Sequence, residues 1–261
     1  MRVLAIPDAV TALLVRAAGV YLLLCAALFV FQRKLIYFPQ PLSGTGATSD
    51  MTLATAAGAV RVTTREVEGP AAVVYFGGNA EDVCWSIGEL EAAFPARALY
   101  LLHYRGYGGS DGSPSEDGLF ADALQLFDEV RRRHPKIVVI GRSLGSGLAV
   151  RLASMRAVEG LVLVTPYSSL TDVAARTLWF VPVRLLLRDR YESWRYAAQV
   201  KAPVTIVVAE QDEVIPREST ERLRDAFPKE RMRYVVVPGA RHNTISGDPS
   251  YAALIGGEPG K

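Results

Sequence analysis

The chain has 261 residues, half of them hydrophobic, so its length allows one large α/β domain or two small ones. The net charge is only +2, and the one cationic run, Arg131 to Arg133, closes a helical pattern where positive charge suits the helix dipole. This balance argues against nucleic-acid binding. The two cysteines, Cys25 and Cys84, form neither a disulfide framework nor a zinc pattern, and we expect no metal and no cofactor.

The first predicted element is a membrane-spanning helix. AAGVYLLLCAALFVF, Ala17–Phe31, is an apolar run of 15 residues, and extended back to Val10 the stretch has 22. Such a helix is roughly 33 Å long, enough to cross a hydrocarbon core of about 30 Å. A cleaved signal peptide is the alternative, but bulky and basic residues follow instead of a small-residue cleavage site. We therefore predict a retained single-pass anchor within residues 1–34. Basic residues flank both its ends, so the charge pattern does not select the side of the membrane.

Strand patterns alternate with helical patterns after the anchor. PLSGTGATSD, residues 41–50, indicates a linker or surface loop. Seven β-rich runs follow: VRVTTREV, AAVVYFGG, RALYLLHY, KIVVIGRS, GLVLVTP, PVTIVVAE and RYVVVPG. The last five are nearly continuous apolar runs, which are typical of strands buried on both faces. With helical patterns between the strands, we predict one α/β domain over residues 35–261, with a mostly parallel sheet flanked by helices.

A candidate nucleophile lies where one of these strands gives way to a helix. Gly141-Arg142-Ser143-Leu144-Gly145 fits the pattern Gly-x-Ser-x-Gly. Between a strand and a helix, this pattern predicts a tight turn that exposes the serine hydroxyl and needs glycine on both sides. The start of the helix stabilises negative charge that develops there. We therefore predict that Ser143 is a catalytic nucleophile.

A serine nucleophile needs a base, and the chain has three histidines. His134 precedes a strand and is expected at the edge of the sheet opposite Ser143. His103 ends an earlier strand and could line the site. His242 follows the last strand, at the carboxyl edge where open α/β sheets carry their active sites. His242 is therefore the predicted base.

A third residue should orient the histidine and stabilise its charged form. In the expected chain order, an acid lies between the serine and the histidine. PVTIVVAEQDEVIP supplies Glu210, Asp212 and Glu213 just after the penultimate strand. Position alone leaves all three open.

Taken together, these segments resemble the α/β-hydrolase superfamily, and most closely its membrane-anchored serine hydrolases of the serine-aminopeptidase-like type. The resemblance covers nearly the whole chain and is carried by YRGYGGSDGSPSEDGLFADA, GRSLGSG, EQDEVIP and GARHN, in that order. It implies an α/β-hydrolase fold with Asp212 as the acid. It also implies an oxyanion hole made by the backbone N–H groups of Leu144 and Asn79. The family usually has His-Gly-Asn where this chain has Gly77-Gly78-Asn79, which keeps the donor but predicts a looser loop.

A small lid is expected over residues 168–200. It contains the markedly apolar segment LWFVPVRLLL, Leu178–Leu187. Three interpretations remain open: ordinary packing of the lid on the core, a wall for an acyl chain, and contact with the bilayer. We also predict that Tyr167 and His103 line the substrate pocket.

The predicted function is a membrane-anchored serine hydrolase that cleaves an ester, thioester or amide through an acyl-enzyme. Relatives of this type include protein depalmitoylases and lipid esterases, so the resemblance implies a small-molecule or acylated substrate. The alternative is a catalytically inactive, membrane-tethered binding or scaffold protein on the same fold. Retention of Ser143, Asp212 and His242 favours the enzyme. The fold alone cannot identify the substrate.

Overall fold

The computed structural model describes residues 8–43, 49–56 and 58–257. The start of the predicted anchor segment (1–7), the middle of the predicted linker (44–48) and residues 57 and 258–261 lie outside the described residues. Within the described ranges a mostly parallel sheet lies between two layers of helices, which is the architecture that the α/β-hydrolase resemblance implies. The predicted fold class is confirmed.

An eight-stranded sheet forms the centre of the described chain, in the order β1-β2-β4-β3-β5-β6-β7-β8. β2 is antiparallel to both β1 and β4, and the remaining pairs are parallel. Because parallel strands end at the same edge, the residues that follow β5, β7 and β8 meet there. The strands are β1 Ser49–Thr55, β2 Gly58–Arg65, β3 Ala71–Phe76, β4 Ala98–Leu102, β5 Lys136–Arg142, β6 Gly160–Val164, β7 Val204–Ala209 and β8 Met232–Val237.

Two features of the sheet correct the sequence prediction. β1 begins at Ser49, inside the segment predicted as a linker, and pairs with β2 through a hairpin. It is an edge strand, and its sequence lacks the long apolar run of the central strands. β8 was expected to be buried on both faces, but five of its six residues are only half-buried, because it forms the opposite edge of the sheet.

Helices cover both faces of the sheet. Leu119 of α3 and Leu148 of α4 belong to the core on one face, and Leu90 of α2 and Ile255 of α9 to the core on the other. The serine that precedes α3, Ser115, accepts a hydrogen bond from the Gly118 N–H and so caps the first turn. The helices are α1 Asp8–Ile36, α2 Ile87–Ala93, α3 Glu116–Arg133, α4 Leu144–Met155, α5 Leu170–Thr177, α6 Val183–Leu186, α7 Trp194–Ala197, α8 Arg217–Ala226 and α9 Tyr251–Gly256.

The N-terminal helix α1 is long and apolar enough to cross a membrane. Most of its side chains are exposed, as expected for a helix that does not belong to the core of the domain. It continues to Ile36, two residues beyond the predicted end of the anchor. It therefore runs without a break into the chain that leads to the α/β domain.

The carboxyl-terminal part of α1 packs against the predicted lid, which contains α5, α6 and α7. The Gln32 amide donates to the carbonyl oxygen of Leu186 at 3.2 Å and accepts from the Arg188 N–H at 2.7 Å. Arg33 forms an ion pair with the buried carboxylate of Asp189 at 3.0 Å. These contacts hold the lid on α1 as well as on the core.

Candidate active site

Ser143 lies in the tight turn between β5 and α4. Its φ of 47° and ψ of −114° are strained for a residue with a side chain. Close packing requires both flanking glycines. A Cβ on Gly141 would lie 2.6 Å from the carbonyl oxygen of Gly145, and a Cβ on Gly145 would collide with the carbonyl group of Phe76. The backbone has the form expected of a nucleophile elbow, with the serine at the start of a helix.

His242 and Asp212 meet Ser143 at the carboxyl edge of the sheet. His242 Nε2 lies 3.0 Å from Ser143 Oγ, and His242 Nδ1 lies 2.9 Å from Asp212 Oδ2. The Asp212 Oδ1 atom accepts the N–H groups of Val214 at 2.9 Å and Ile215 at 2.7 Å. The side chains of His242 and Asp212 are only 6% and 7% exposed, so their hydrogen bond is shielded from water. The three side chains form a continuous chain of hydrogen bonds.

The two other acids after β7 have different partners. The Glu213 carboxylate accepts the His242 backbone N–H at 3.2 Å, and the Glu210 carboxylate accepts the Gly239 N–H at 2.8 Å. Hydrogen bonds from the backbone N–H groups of Glu213 itself and of His242 lower the pKa of the Glu213 carboxyl. Of the three acids that spacing left open, only Asp212 contacts the imidazole ring in the described structure.

Asn79 lies at the turn after β3, next to Ser143, and its side chain is held at both ends. Its Oδ1 atom accepts from the Tyr107 hydroxyl at 2.8 Å and from the Phe38 N–H at 3.1 Å, and its Nδ2 donates to the Ile36 carbonyl oxygen at 2.5 Å. Burial raises the pKa of Tyr107 to about 12, so its phenol stays protonated and can donate. Within the described chain, the backbone N–H groups of Asn79 and Leu144 have no acceptor.

A charged pair that sequence reasoning missed supports this loop. Glu81 accepts the Gly78 N–H at 2.6 Å and the Tyr75 hydroxyl at 2.7 Å. Arg142, the residue before the serine, lies 3.5 Å from the Glu81 carboxylate. Burial raises the pKa of Tyr75, which keeps its hydroxyl as a donor. Glu81 thus braces the loop that contains Gly77 and Gly78, which the resemblance predicted to be looser, and the only sequence signal was an acid three residues after Gly78.

Two cavities of opposite character meet at Ser143. The larger has a volume of about 610 Å³ and is lined almost entirely by apolar side chains of α1, the lid and the elbow. The smaller, of about 150 Å³, is polar and is lined by residues that include Glu81, Arg142, His242 and Asn243. Ser143 and Asn79 line both cavities. The hydroxyl therefore lies between an apolar site and a polar site.

Tyr167 and His103, the two residues predicted to line the substrate pocket, lie in different environments. Tyr167 lines the larger cavity and donates a hydrogen bond to the Leu144 carbonyl oxygen at 3.2 Å. His103 lines neither cavity, which corrects the prediction; its Nε2 lies 2.8 Å from the Thr63 hydroxyl. Side chains alternate along a strand, so His103 points away from the face that carries Leu102 and Tyr104.

His103 instead belongs to the one group of side chains in the described residues with the donor types and spacing for a metal ion, together with Asp82 and Cys84. The donor atoms have other roles, however. The Asp82 carboxylate caps the short 3-10 helix Val83–Ser86 by accepting the backbone N–H of Cys84 at 3.1 Å, and it also accepts the Ser43 hydroxyl at 2.6 Å. Hydrogen bonding within the fold accounts for this cluster.

The third histidine, His134, has a structural environment. It is buried, and its ring nitrogens lie 3.0 Å from the Tyr100 hydroxyl and 2.8 Å from the Gly69 carbonyl oxygen. It precedes β5, at the edge of the sheet opposite Ser143, as the sequence predicts.

Comparisons with known proteins agree with this fold. A model of the alpha/beta hydrolase family matches residues 76–200. An uncharacterized protein of Mycobacterium tuberculosis strain H37Rv is 38% identical over 230 residues, which cover 81% of this chain and 80% of that protein. The lysophosphatidylserine lipase ABHD12 of Danio rerio is 34% identical over 147 residues, 49% of this chain and 38% of the lipase. The Pyrococcus furiosus esterase Pf2001 superposes with a TM-score of 0.68 at 17% identity, covering 85% of this chain and 95% of the esterase, a likeness of fold. The chain belongs to the alpha/beta hydrolase family.

Proposed function

We propose that the protein is a membrane-anchored serine hydrolase that cleaves an ester, thioester or amide through an acyl-enzyme. The observation that carries the proposal is the hydrogen-bonded series from Asp212 through His242 to Ser143, with Nε2 at 3.0 Å from the hydroxyl. The strained elbow supports the same reaction. The lipase and esterase names among the similar proteins support hydrolysis of an acyl bond.

The reaction has two halves in this site. Ser143 Oγ attacks the acyl carbon while its proton moves to His242 Nε2, and Asp212 stabilises the resulting imidazolium. The backbone N–H groups of Leu144 and Asn79 are the donors that we assign to the oxyanion. The imidazolium then protonates the leaving alcohol, thiol or amine as its bond to the acyl carbon breaks. A water molecule, deprotonated by His242, cleaves the acyl-enzyme and restores the serine.

Labelling with a fluorophosphonate probe tests the nucleophile. We expect the full chain to be labelled covalently and Ser143→Ala to lose both labelling and esterase turnover, the latter by several orders of magnitude. Ser113→Ala, at an exposed serine, is the matched control and should label like the parent chain. Labelling that persists in Ser143→Ala contradicts this assignment. A folded parent chain that never labels supports the inactive scaffold instead.

The membrane anchor is the second part of the proposal, with residues 1–34 as the anchor segment and 35–261 as the catalytic domain. The length and apolar surface of α1 support it. We expect the full chain to remain in the membrane fraction after extraction at alkaline pH, since a spanning helix inserts almost irreversibly. Release into the supernatant contradicts a spanning helix. A mature protein that starts after residue 31 indicates a cleaved signal sequence.

A further inference from the structure

The larger cavity beside Ser143 has walls from two parts of the chain. Leu28 and Phe29 of α1 form one side, and Ala174 and Leu178 of the lid form the other. The Gln32 amide in the α1 wall is already bonded to the Leu186 carbonyl oxygen and the Arg188 N–H. A ligand in this cavity therefore meets mainly apolar surface, and Ser143 is one of the residues that line it.

The size of the cavity suits one long hydrocarbon chain. A volume of about 610 Å³ holds roughly 20 methylene groups at ~30 Å³ each, taking a methylene group as about the size of a water molecule. The polar cavity on the other side of Ser143 has only about 150 Å³. In a substrate with an acyl chain on one side of the reacting carbon and a polar leaving group on the other, the acyl chain fits the large apolar cavity and the leaving group fits the small polar one.

The tip of the lid lies beside the part of α1 that the sequence places in the bilayer. The Tyr21 hydroxyl donates to the Phe180 carbonyl oxygen at 2.9 Å. Tyr21 is ten residues before Phe31, the end of the apolar run, so this contact lies about 15 Å along the helix from that end. Trp179, whose ring packs on that of Phe180, is 82% exposed, and Leu185 in α6 of the same lid is 80% exposed. Large apolar side chains next to a spanning helix are covered there by hydrocarbon.

We propose that the larger cavity binds the long acyl chain of a membrane lipid or lipidated substrate, and that the chain enters from the bilayer between α1 and the lid, whose tip is embedded there. The anchor helix is then also a wall of the substrate site. This inference rests on the proposed function, because it assigns the acyl side of the reaction at Ser143. The leaving group occupies the small polar cavity beside Arg142 and His242.

Paired fluorophosphonate probes test the acyl site on the full chain in phosphatidylcholine vesicles. The measured quantity is the ratio of the labelling rates for a hexadecyl probe and an ethyl probe. Leu28→Trp fills the cavity from α1, and we expect it to lower this ratio at least about tenfold. Leu23→Trp, on the side of the same helix that faces away from the lid and 72% exposed, is the matched control and should keep the parent ratio. Ala174→Trp fills the cavity from the lid and replaces Leu28→Trp if that variant does not fold.

The outcomes separate the two proposals. An unchanged ratio in Leu28→Trp and Ala174→Trp overturns the acyl site while the hydrolase stands. Absence of labelling by either probe in the folded parent chain overturns the proposed function and the acyl site with it. The lid tip is tested by fluorescence in vesicles of phosphatidylcholine brominated near the middle of its acyl chains. We expect these lipids to quench tryptophan emission, and Trp179→Phe to remove most of the quenchable signal. Equal quenching with and without Trp179 overturns the bilayer contact.

Discussion

Replacing Asp212 by asparagine tests the assignment of the acid most directly. In the parent chain, Oδ1 accepts two backbone N–H groups, from Val214 and Ile215, and both oxygens face His242 Nδ1. An asparagine keeps its single oxygen on the two backbone donors, so its NH₂ group faces the ring. Nδ1 must then be an acceptor, which moves the ring proton to Nε2, opposite the serine hydroxyl. The ring can no longer take the serine proton.

The expected loss follows from this change of tautomer. The same substitution in a serine protease lowers kcat by about 10⁴, and we expect a similar factor here, equivalent to about 5 kcal/mol of transition-state stabilisation. The assay is kcat/KM for a short p-nitrophenyl ester, with the thermal unfolding midpoint as the check on folding. Glu213→Gln is the matched control, since that carboxylate accepts the backbone N–H of His242 and pairs with Arg241 at 3.6 Å but does not contact the imidazole ring. A loss in Glu213→Gln as large as that in Asp212→Asn would refute the assignment.

Three further predictions concern the surroundings of the site. Glu81→Gln weakens the hydrogen bond to the Gly78 N–H and removes the negative charge opposite Arg142, so we expect kcat to fall about tenfold with KM nearly unchanged. Glu68→Gln, at an exposed site, is the control and should have no effect on kcat or KM. A change in KM alone would contradict a role for Glu81 in the oxyanion loop. Arg33→Gln leaves the buried Asp189 carboxylate with a weaker partner, so the free energy of unfolding in detergent should fall by about 1–3 kcal/mol. An unchanged midpoint of denaturant unfolding would show that this ion pair does not hold the lid on α1. Burial raises the pKa of Glu116 above its usual 4.5, so ionising this carboxyl lowers the stability of the folded chain as the pH rises from 4.5 through the folded pKa. Over this pH range Glu116→Gln should become more stable relative to the parent chain, as measured by denaturant unfolding at several pH values. A stability difference that is constant with pH would contradict this prediction.

The local sequence was sufficient to predict the central strands of the sheet and the position of the candidate nucleophile. Strands buried on both faces have to be apolar throughout, so their runs were visible, and a serine between two glycines at a strand-to-helix turn is typical of a nucleophile elbow. The rule that strand ends meet at one edge of a parallel sheet indicated His242, and the expected chain order placed an acid between Ser143 and His242. The choice of Asp212 came only from the family resemblance. The edge strands were predicted least well: β1 was missed and the burial of β8 overestimated, because an edge strand has only one neighbour to enforce an apolar pattern.

The tertiary structure decided which residues share a surface. Spacing left three acids open, and only the folding of the loop after β7 brings Asp212 rather than Glu210 or Glu213 to the imidazole. The ion pair between Glu81 and Arg142 joins the loop after β3 to the end of β5, and no local pattern encodes a contact between such distant segments. The largest difference concerns α1. The sequence determined a long apolar helix, whereas its packing against a lid about 150 residues later, through the Gln32 contacts, made that helix a wall of the cavity beside Ser143. Long-range packing depends on the shapes of both partners, and the sequence of one of them does not specify the other.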